Sequence, residues 1–468
     1  MIASDLVQND EAKDAAVRDL EKQFNLTTDQ LKKISELLQC EMRTGLKVCD
    51  ISCNVPMLPS WITRHPTGQE KGEYMGLDLS GSYIRVYLVT LHGQGRITTR
   101  QLKYTVKENL KVGPISKLID FMAECVDAFL TFVNKGDSKN PLSLGLCISF
   151  PLRQTSIHNA YILRWTKDFE ITGADNKNVV ELLQTAFRKR EVPVIVKAAV
   201  NGATGCLLAH NYRSLDTLLA CTVSTGTNAA YWEKVRHVHK IQSDPENPVE
   251  EMIINTEWGS FGDTKSETIP HTFYDIRVNR QSVNPGVHVY EKMCAGLYLG
   301  EIVRLILVDF IDRRILFDAQ YSTELNKAYN FESTYMSAIE RDETDDLEDT
   351  KHLLENVMNL SSTTLTDRKL VKRVCELVGR RAARLIAAGM SAIISRRNAL
   401  EAGLSISVEG TIYEHYSNFP DRVNTALQEL YGGNVERINI GITRDGNGIG
   451  AALAAMIAST PANQANPL

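Results

Sequence analysis

The stretch VIVKAAVNGATG, residues 194–205, is an apolar run that stops at a small polar turn. Strand ends of this kind are where α/β proteins hold reacting groups. Upstream, residues 178–190 (NVVELLQTAFRKR) carry apolar positions at helical spacing, so helix and strand alternate here. The same strand-then-turn pattern recurs at LSLGLCISFP (142–151) and LDTLLACTVSTG (215–226). In residues 73–93 (EYMGLDLSGSYIRVYLVTLHG), two alternating runs flank Ser80-Gly81-Ser82 and predict a β-hairpin. Strands interleaved with helices place the chain in the α/β class.

The ends and the second half are more helical. In residues 26–42, Thr27 and Gln30 have capping-box spacing, Leu26 and Leu31 that of a hydrophobic staple, and Leu31, Ile34, Leu37, Leu38 and Met42 share one face. Residues 54–74 are a Pro/Gly-punctuated connector, read as a lobe boundary. Residues 288–313 and 367–397 each read as one long amphipathic helix, and the acidic stretch 341–350 as a solvated loop. A strand follows in LSISVEGTIY (404–413), then a strand, a glycine turn and an Ala-rich helix in residues 437–459. No internal repeat is visible.

At 468 residues the chain exceeds one compact core. With 43% hydrophobic and 23% charged residues it is ordinary for a globular protein. A net charge of -5 builds no basic field for nucleic acid or an anionic membrane. Nine scattered cysteines without a repeated CxxC pair read as reduced thiols, and Cys49 and Cys53 lack a second metal-binding pair. The polar N-terminus does not read as a signal peptide, and no apolar run approaches membrane-spanning length. The expectation is a cytoplasmic protein, with a nuclear fraction also compatible.

No GxxxxGK[ST] loop occurs. Gly446-Asn447-Gly448-Ile449-Gly450 lacks the following βαβ unit of a dinucleotide site. Asp78, ending a strand before Ser80-Gly81-Ser82, suits a hydrated Mg²⁺ beside hairpin amides that face phosphate. Ser224-Thr225-Gly226-Thr227-Asn228 is a second hydroxyl- and glycine-bearing turn.

In order, GLDLSGSYIRV, SFPLRQTS, RWTKDF, VNGATG, STGTNAAYWE, INTEWGSFG, NPGVHVYEKM with GLYLGEIVR, VEGTIYEHYSNF and DGNGIGAAL resemble the hexokinase family, its fungal members most of all, over residues 20 to 457. The resemblance implies a two-lobed, actin-like (ribonuclease H-like) α/β fold with a sugar cleft between lobes, and ATP-dependent phosphorylation of a hexose 6-hydroxyl. It implies an N-terminal helical segment (1–60) on the large lobe, a small lobe (61–202), a large lobe (203–444), a C-terminal helix returning to the small lobe (445–458) and a disordered tail (459–468). Hexose contacts fall on Ser149, Thr166, Lys167, Asn201, Asn228, Glu257 and Glu291. Nucleotide contacts fall on Asp78, Gly81, Ser82, Arg85, Thr225, Gly226, Thr227, Gly410, Gly446 and Gly448.

The departures from the pattern shape the functional expectation. Where the family has the aspartate that acts as general base, this chain has Gly202, which cannot accept a proton; losing such a base costs about 10² to 10⁴ in rate. Ser80 and Tyr83 replace smaller residues of the phosphate hairpin, a Cβ at Ser80 restricting positive φ and close phosphate approach. Ser224 stands for a glycine, Glu409 for an aspartate, and His288 where many members have glutamine. No catalytic residue is intact, and Mg-ATP binding is in doubt. The expected protein binds a hexose, glucose first, and is inactive or impaired, its lobe closure signalling to a regulatory protein partner. The alternatives are an active hexokinase and a sugar-independent scaffold.

Overall fold

The computed structural model describes residues 2–48, 53–136, 140–166, 169–241, 249–264 and 269–460, with side chains from residue 11 onward. Two mixed sheets organise it. One has the order Val194–Val200, Leu142–Ile148, Lys71–Leu79, Tyr83–Gly93, Arg96–Thr105; the other runs Leu58–Pro59, Glu251–Asn255, Thr227–Lys234, Thr217–Val223, Leu404–Glu409, Ile438–Ile442. In each sheet an antiparallel three-strand meander continues into two parallel strands. In each, the last strand feeds a helix: Gly202–Asn211 after Val200, and Gly446–Ser459 after Ile442. The lobes therefore repeat one topology that left no readable repeat in the sequence. Topology constrains strand order and register, and many apolar side chains satisfy it equally.

Two core clusters fill the lobes, and a third lies between the sheets around Tyr87, Cys206, Leu207, Trp232, Ile449 and Leu453. That third core is built by the Gly202–Asn211 and Gly446–Ser459 helices crossing closely. A Cβ on Gly450 would stand 1.9 Å from the Gly205 carbonyl oxygen, so only glycine permits the approach. Gly448 similarly leaves room for the Tyr87 ring.

The helix Thr28–Gly45 begins with the expected capping box: the Thr27 side chain accepts from Gln30 N at 3.2 Å, and Gln30 Oε1 from Thr27 N at 2.7 Å. Residues 288–313 are not one helix. Val289–Cys294 and Gly296–Asp312 are separated at Ala295, whose extended backbone (ψ 148°) lets Gly296 N donate to Ser224 O at 2.8 Å. The acidic stretch is partly built in: Asp342 is buried and accepts from Thr350 N and Oγ1 at 2.8 and 2.7 Å. The turn hydroxyl and amide groups satisfy a carboxylate that composition alone assigns to solvent.

The 33-residue helix Leu365–Arg397 is the large-lobe spine. Its Arg381, fully buried, makes a bidentate pair with Asp275 at 2.7 and 2.6 Å and lies over the Phe24 ring at 4.3 Å, joining three helices. Asp275 also accepts from Thr272 N and Oγ1, both at 2.7 Å, which completes its shell. Burial pushes its pKa up, but Arg381 and the Thr272 groups hold it below the ordinary value. Arg381→Ala leaves that carboxylate charged and buried, with an expected loss of about 3–5 kcal/mol, read from chemical denaturation.

Candidate functional site

Strand ends from both lobes meet at the third core. Asn201, buried, caps the Gly202 helix: its Oδ1 accepts from Ala203 N at 3.0 Å and its Nδ2 donates to Phe150 O at 3.3 Å. Across the cleft, Asn228 Nδ2 donates to Glu257 Oε1 at 3.0 Å, to Asn255 Oδ1 at 2.9 Å and, longer, to Asn201 Oδ1 at 3.4 Å. Asn255 Nδ2 closes the triangle on Glu257 Oε1 at 2.8 Å. Asn228 Oδ1 accepts from Glu257 N at 3.1 Å. Burial raises the Glu257 pKa, opposed by the Asn255 amide.

Glu291 is held from two sides. Thr227 N donates to its Oε2 at 2.9 Å, and His288 Nδ1 contacts its Oε1 at 3.2 Å. The second His288 nitrogen, Nε2, lies 2.7 Å from Arg164 Nη2 on the opposite lobe. Guanidinium can only donate, so Nε2 accepts and the proton sits on Nδ1 toward Glu291. Burial opposes a charge on His288, while the Glu291 bond favours it; the net pKa lies above the ordinary value. Glu257 (φ 53°) and His288 (φ 59°) both occupy the left-handed region, a strain that only a surrounding network sustains.

The second turn supports this polar shell more than its sequence suggests. A Cβ on Gly226 would stand 2.6 Å from Glu291 Oε2, so the glycine admits the carboxylate. The Thr227 hydroxyl is taken by Trp258 Nε1 at 3.2 Å, and exposed Thr225 tops the turn. Gly410, at φ 132°, packs under Val223 O, where a Cβ would approach to 2.4 Å.

On the other lobe, Asp78 is buried at its strand end, and Asn447 Nδ2 donates to its Oδ1 at 3.3 Å. Ser80 N and Oγ both donate to Tyr83 O at 3.0 Å, closing the hairpin on itself, with Gly81 and Ser82 at the tip. Neither Ser80 nor Gly81 takes a positive φ, so the expected backbone penalty at Ser80 does not arise. Tyr83 is drawn to the neighbouring strand, with Lys103 Nζ 3.4 Å from its ring centroid. Arg85 faces Asp445 at 3.7 Å, and Tyr87 OH donates to the same carboxylate at 3.1 Å. Glu409 Oε1 accepts from Gly446 N at 3.2 Å; its Oε2 is buried without a hydrogen-bond partner. Burial, then repulsion from Asp78, raises the Glu409 pKa to about 8. Two acids in this state match the donor set of a hydrated divalent cation.

Of the hexose residues expected from the sequence, Asn201, Asn228, Glu257 and Glu291 converge. Ser149 follows the Leu142–Ile148 strand, its N donating to Leu79 O at 3.2 Å. Thr166 follows Trp165, which packs on Phe150 at 5.0 Å; Lys167 lies outside the described residues. Sequence reasoning missed Asn255, Arg164 and Asn447 as site residues. Asn255 carried a signal, an amide ending an apolar strand two residues before Glu257. Asn447 was masked by its flanking glycines, and Arg164 opens the matched RWTKDF segment but was not singled out from it.

Hexokinase family models match residues 16–212 and 218–457. The hexokinase of Kluyveromyces lactis is 35% identical over 452 residues, covering 94% of this chain and 91% of that one. Hexokinase-2 of Saccharomyces cerevisiae is 35% identical, with 94% and 92% covered. The hexokinase from Schistosoma mansoni complexed with glucose superimposes with a TM-score of 0.87 at 32% identity, over 96% of this chain and 100% of that one. Matches to both halves, with relatives of this identity spanning the whole fold, make the chain a member of the hexokinase family.

Proposed function

We propose that this hexokinase-family chain binds a hexose, glucose first, transfers phosphate poorly or not at all, and acts as a sugar-responsive regulator through lobe closure. The observation that carries the reading is Gly202 beside a polar shell in which Asn201, Asn228, Asn255 and Glu257 are hydrogen-bonded to one another. Asn201, Asn228, Asn255, Glu257 and Glu291 offer acceptors and donors for several vicinal hydroxyls, and a wrong ligand would leave those buried groups unpaired. At the position of the general base there is no side chain. The three atoms nearest to a Cβ placed there all belong to Asn447, an amide that accepts hydrogen bonds but is not a base at neutral pH.

Hexose binding favours the closed cleft, and that differential affinity is sufficient to make closure a signal to a protein partner. The Arg164–His288 link already joins the lobes over Glu291. Mg-ATP would be held by Asp78 and Glu409 at the cation and by the turns around Gly81, Ser82, Thr225 and Gly226 at the phosphates; it supplies the phosphoryl group in the family. A cytoplasmic protein with a nuclear fraction fits the regulatory role.

A second reading, an active kinase, is favoured by the full-length match to hexokinases. Titrating the purified chain with glucose, with and without Mg-ATP, separates the two. Glucose is expected to raise the melting temperature by mass action, and sugar phosphate to form about 10² to 10⁴ more slowly than in an ordinary kinase. Turnover near about 10 s⁻¹ overturns the impaired reading. No melting shift at about tens of millimolar hexose points to a sugar-independent scaffold. Glu257→Ala should abolish the glucose shift, and Arg164→Ala should weaken glucose binding severalfold in calorimetry while leaving the shell intact.

Glu409 supplies a pH test. Its folded pKa of about 8 exceeds the ordinary 4.5, so between those values the native state holds a proton that the unfolded chain has lost. Stability therefore falls as pH rises through that window, and the loss is complete above the folded pKa. Glu409→Gln should flatten this slope in melting curves. Stabilisation by Mg-ATP should grow toward pH 8, because a cation at Asp78 and Glu409 requires both acids ionised.

A further inference from the structure

Gly202 opens its helix, and the space where its side chain would be is filled from the other lobe's crossing helix. A Cβ built on Gly202 meets Asn447 Oδ1 at 3.0 Å, and Asn447 Cγ and Nδ2 at 3.5 Å. The first distance is tighter than ordinary contact, and a carboxyl group beyond that Cβ would need still more room. Asn447 cannot easily retreat. Its Cα is 3.2 Å from the Cβ position of Gly205, within the glycine-on-glycine crossing, and its Nδ2 is engaged by Asp78. A carboxylate only accepts, so the amide nitrogen must face Asp78 and the oxygen must face Gly202. That oxygen is buried and has no hydrogen-bond partner.

We propose that Asn447 is a positioning residue coupled to Gly202: its carboxamide occupies the volume of the absent side chain and ties Asp78, so the two positions act as a pair. The inference rests on the reading of Gly202 as the vacated general-base position. Its consequence is that restoring an acid at Gly202 alone sets a carboxylate against an unpartnered amide oxygen in a space that is already filled. Acceptor faces acceptor, and neither has a compensating donor. Asn447→Ala vacates that volume and frees Asp78 from the amide.

A double-mutant cycle tests this with Gly202→Asp, Asn447→Ala and the double variant, read by thermal melting and by glucose phosphorylation in a coupled assay. Gly202→Asp alone is expected to lower the melting temperature by about 2 °C or more and to gain little activity. Adding Asn447→Ala should recover most of that loss and raise phosphorylation at least about tenfold above Gly202→Asp alone. If the aspartate variant does not fold, Gly202→Ala with and without Asn447→Ala gives the same cycle. Alanine is the better helix former, so a melting drop in Gly202→Ala that Asn447→Ala relieves reports the contact itself. Additive melting shifts in both cycles, or full kinase activity in Gly202→Asp alone, overturn the coupling. Rapid turnover by the parent chain instead overturns the reading of Gly202 and leaves the melting cycle to decide the contact.

Discussion

The crossing of the Gly202–Asn211 and Gly446–Ser459 helices is the constraint on which the rest of the molecule depends. Each helix follows the last strand of one sheet, so the contact joins the two lobes at equivalent places in a repeated topology. Gly205 and Gly450 bring the backbones nearer than any Cβ would allow. Both helix starts then face one another at the base of the cleft. Asn201 and Gly202 arrive from one side, Asp445, Gly446 and Asn447 from the other. The glycines of residues 446–450, which resemble a phosphate-binding run, are occupied largely with this packing.

Around that crossing, polar groups are shared between tasks. Glu291 belongs to the candidate sugar shell, yet its position is set by the backbone of the second hydroxyl turn and by His288, which in turn reaches Arg164 on the far lobe. Glu257 and His288 are held in left-handed backbone conformations, which non-glycine residues adopt rarely and which persist here because several hydrogen bonds overdetermine them. A ligand that rearranges one member of this network acts on the lobes together. The Arg164–His288 hydrogen bond that joins the lobes here does not involve position 202.

On the proposed reading, separating grip from transfer is physically simple in this fold. On that reading, the shell that would recognise hydroxyl groups lies on the strand ends and the turn near Glu291, whereas proton abstraction would depend on a single side chain at a helix start. Beside Gly202 the hydrogen bonds among Asn228, Asn255 and Glu257 are complete, and the amide of Asn447 on the opposing helix is what lies nearest to its Cβ position. Asp78 is tied to the same amide, and behind it Glu409 has its pKa raised first by burial and then by repulsion from Asp78.

Alternation and helical spacing were enough to assign the α/β class, the hairpin at Ser80-Gly81-Ser82, the capping box at Thr27 and most strands, because these depend on local backbone preference and on which face is apolar. Ordered motifs identified the family resemblance and the absence of a carboxyl group at position 202, since residue identity at a motif position needs no coordinates. The repeat between lobes, the break at Ala295, the burial of Asp342 and the roles of Asn255, Arg164 and Asn447 emerged only in three dimensions. Most of these depend on partners distant in the chain, such as Arg164 with His288 or Gly202 with Asn447, and local pattern carries no information about which distant groups a close helix crossing will bring together.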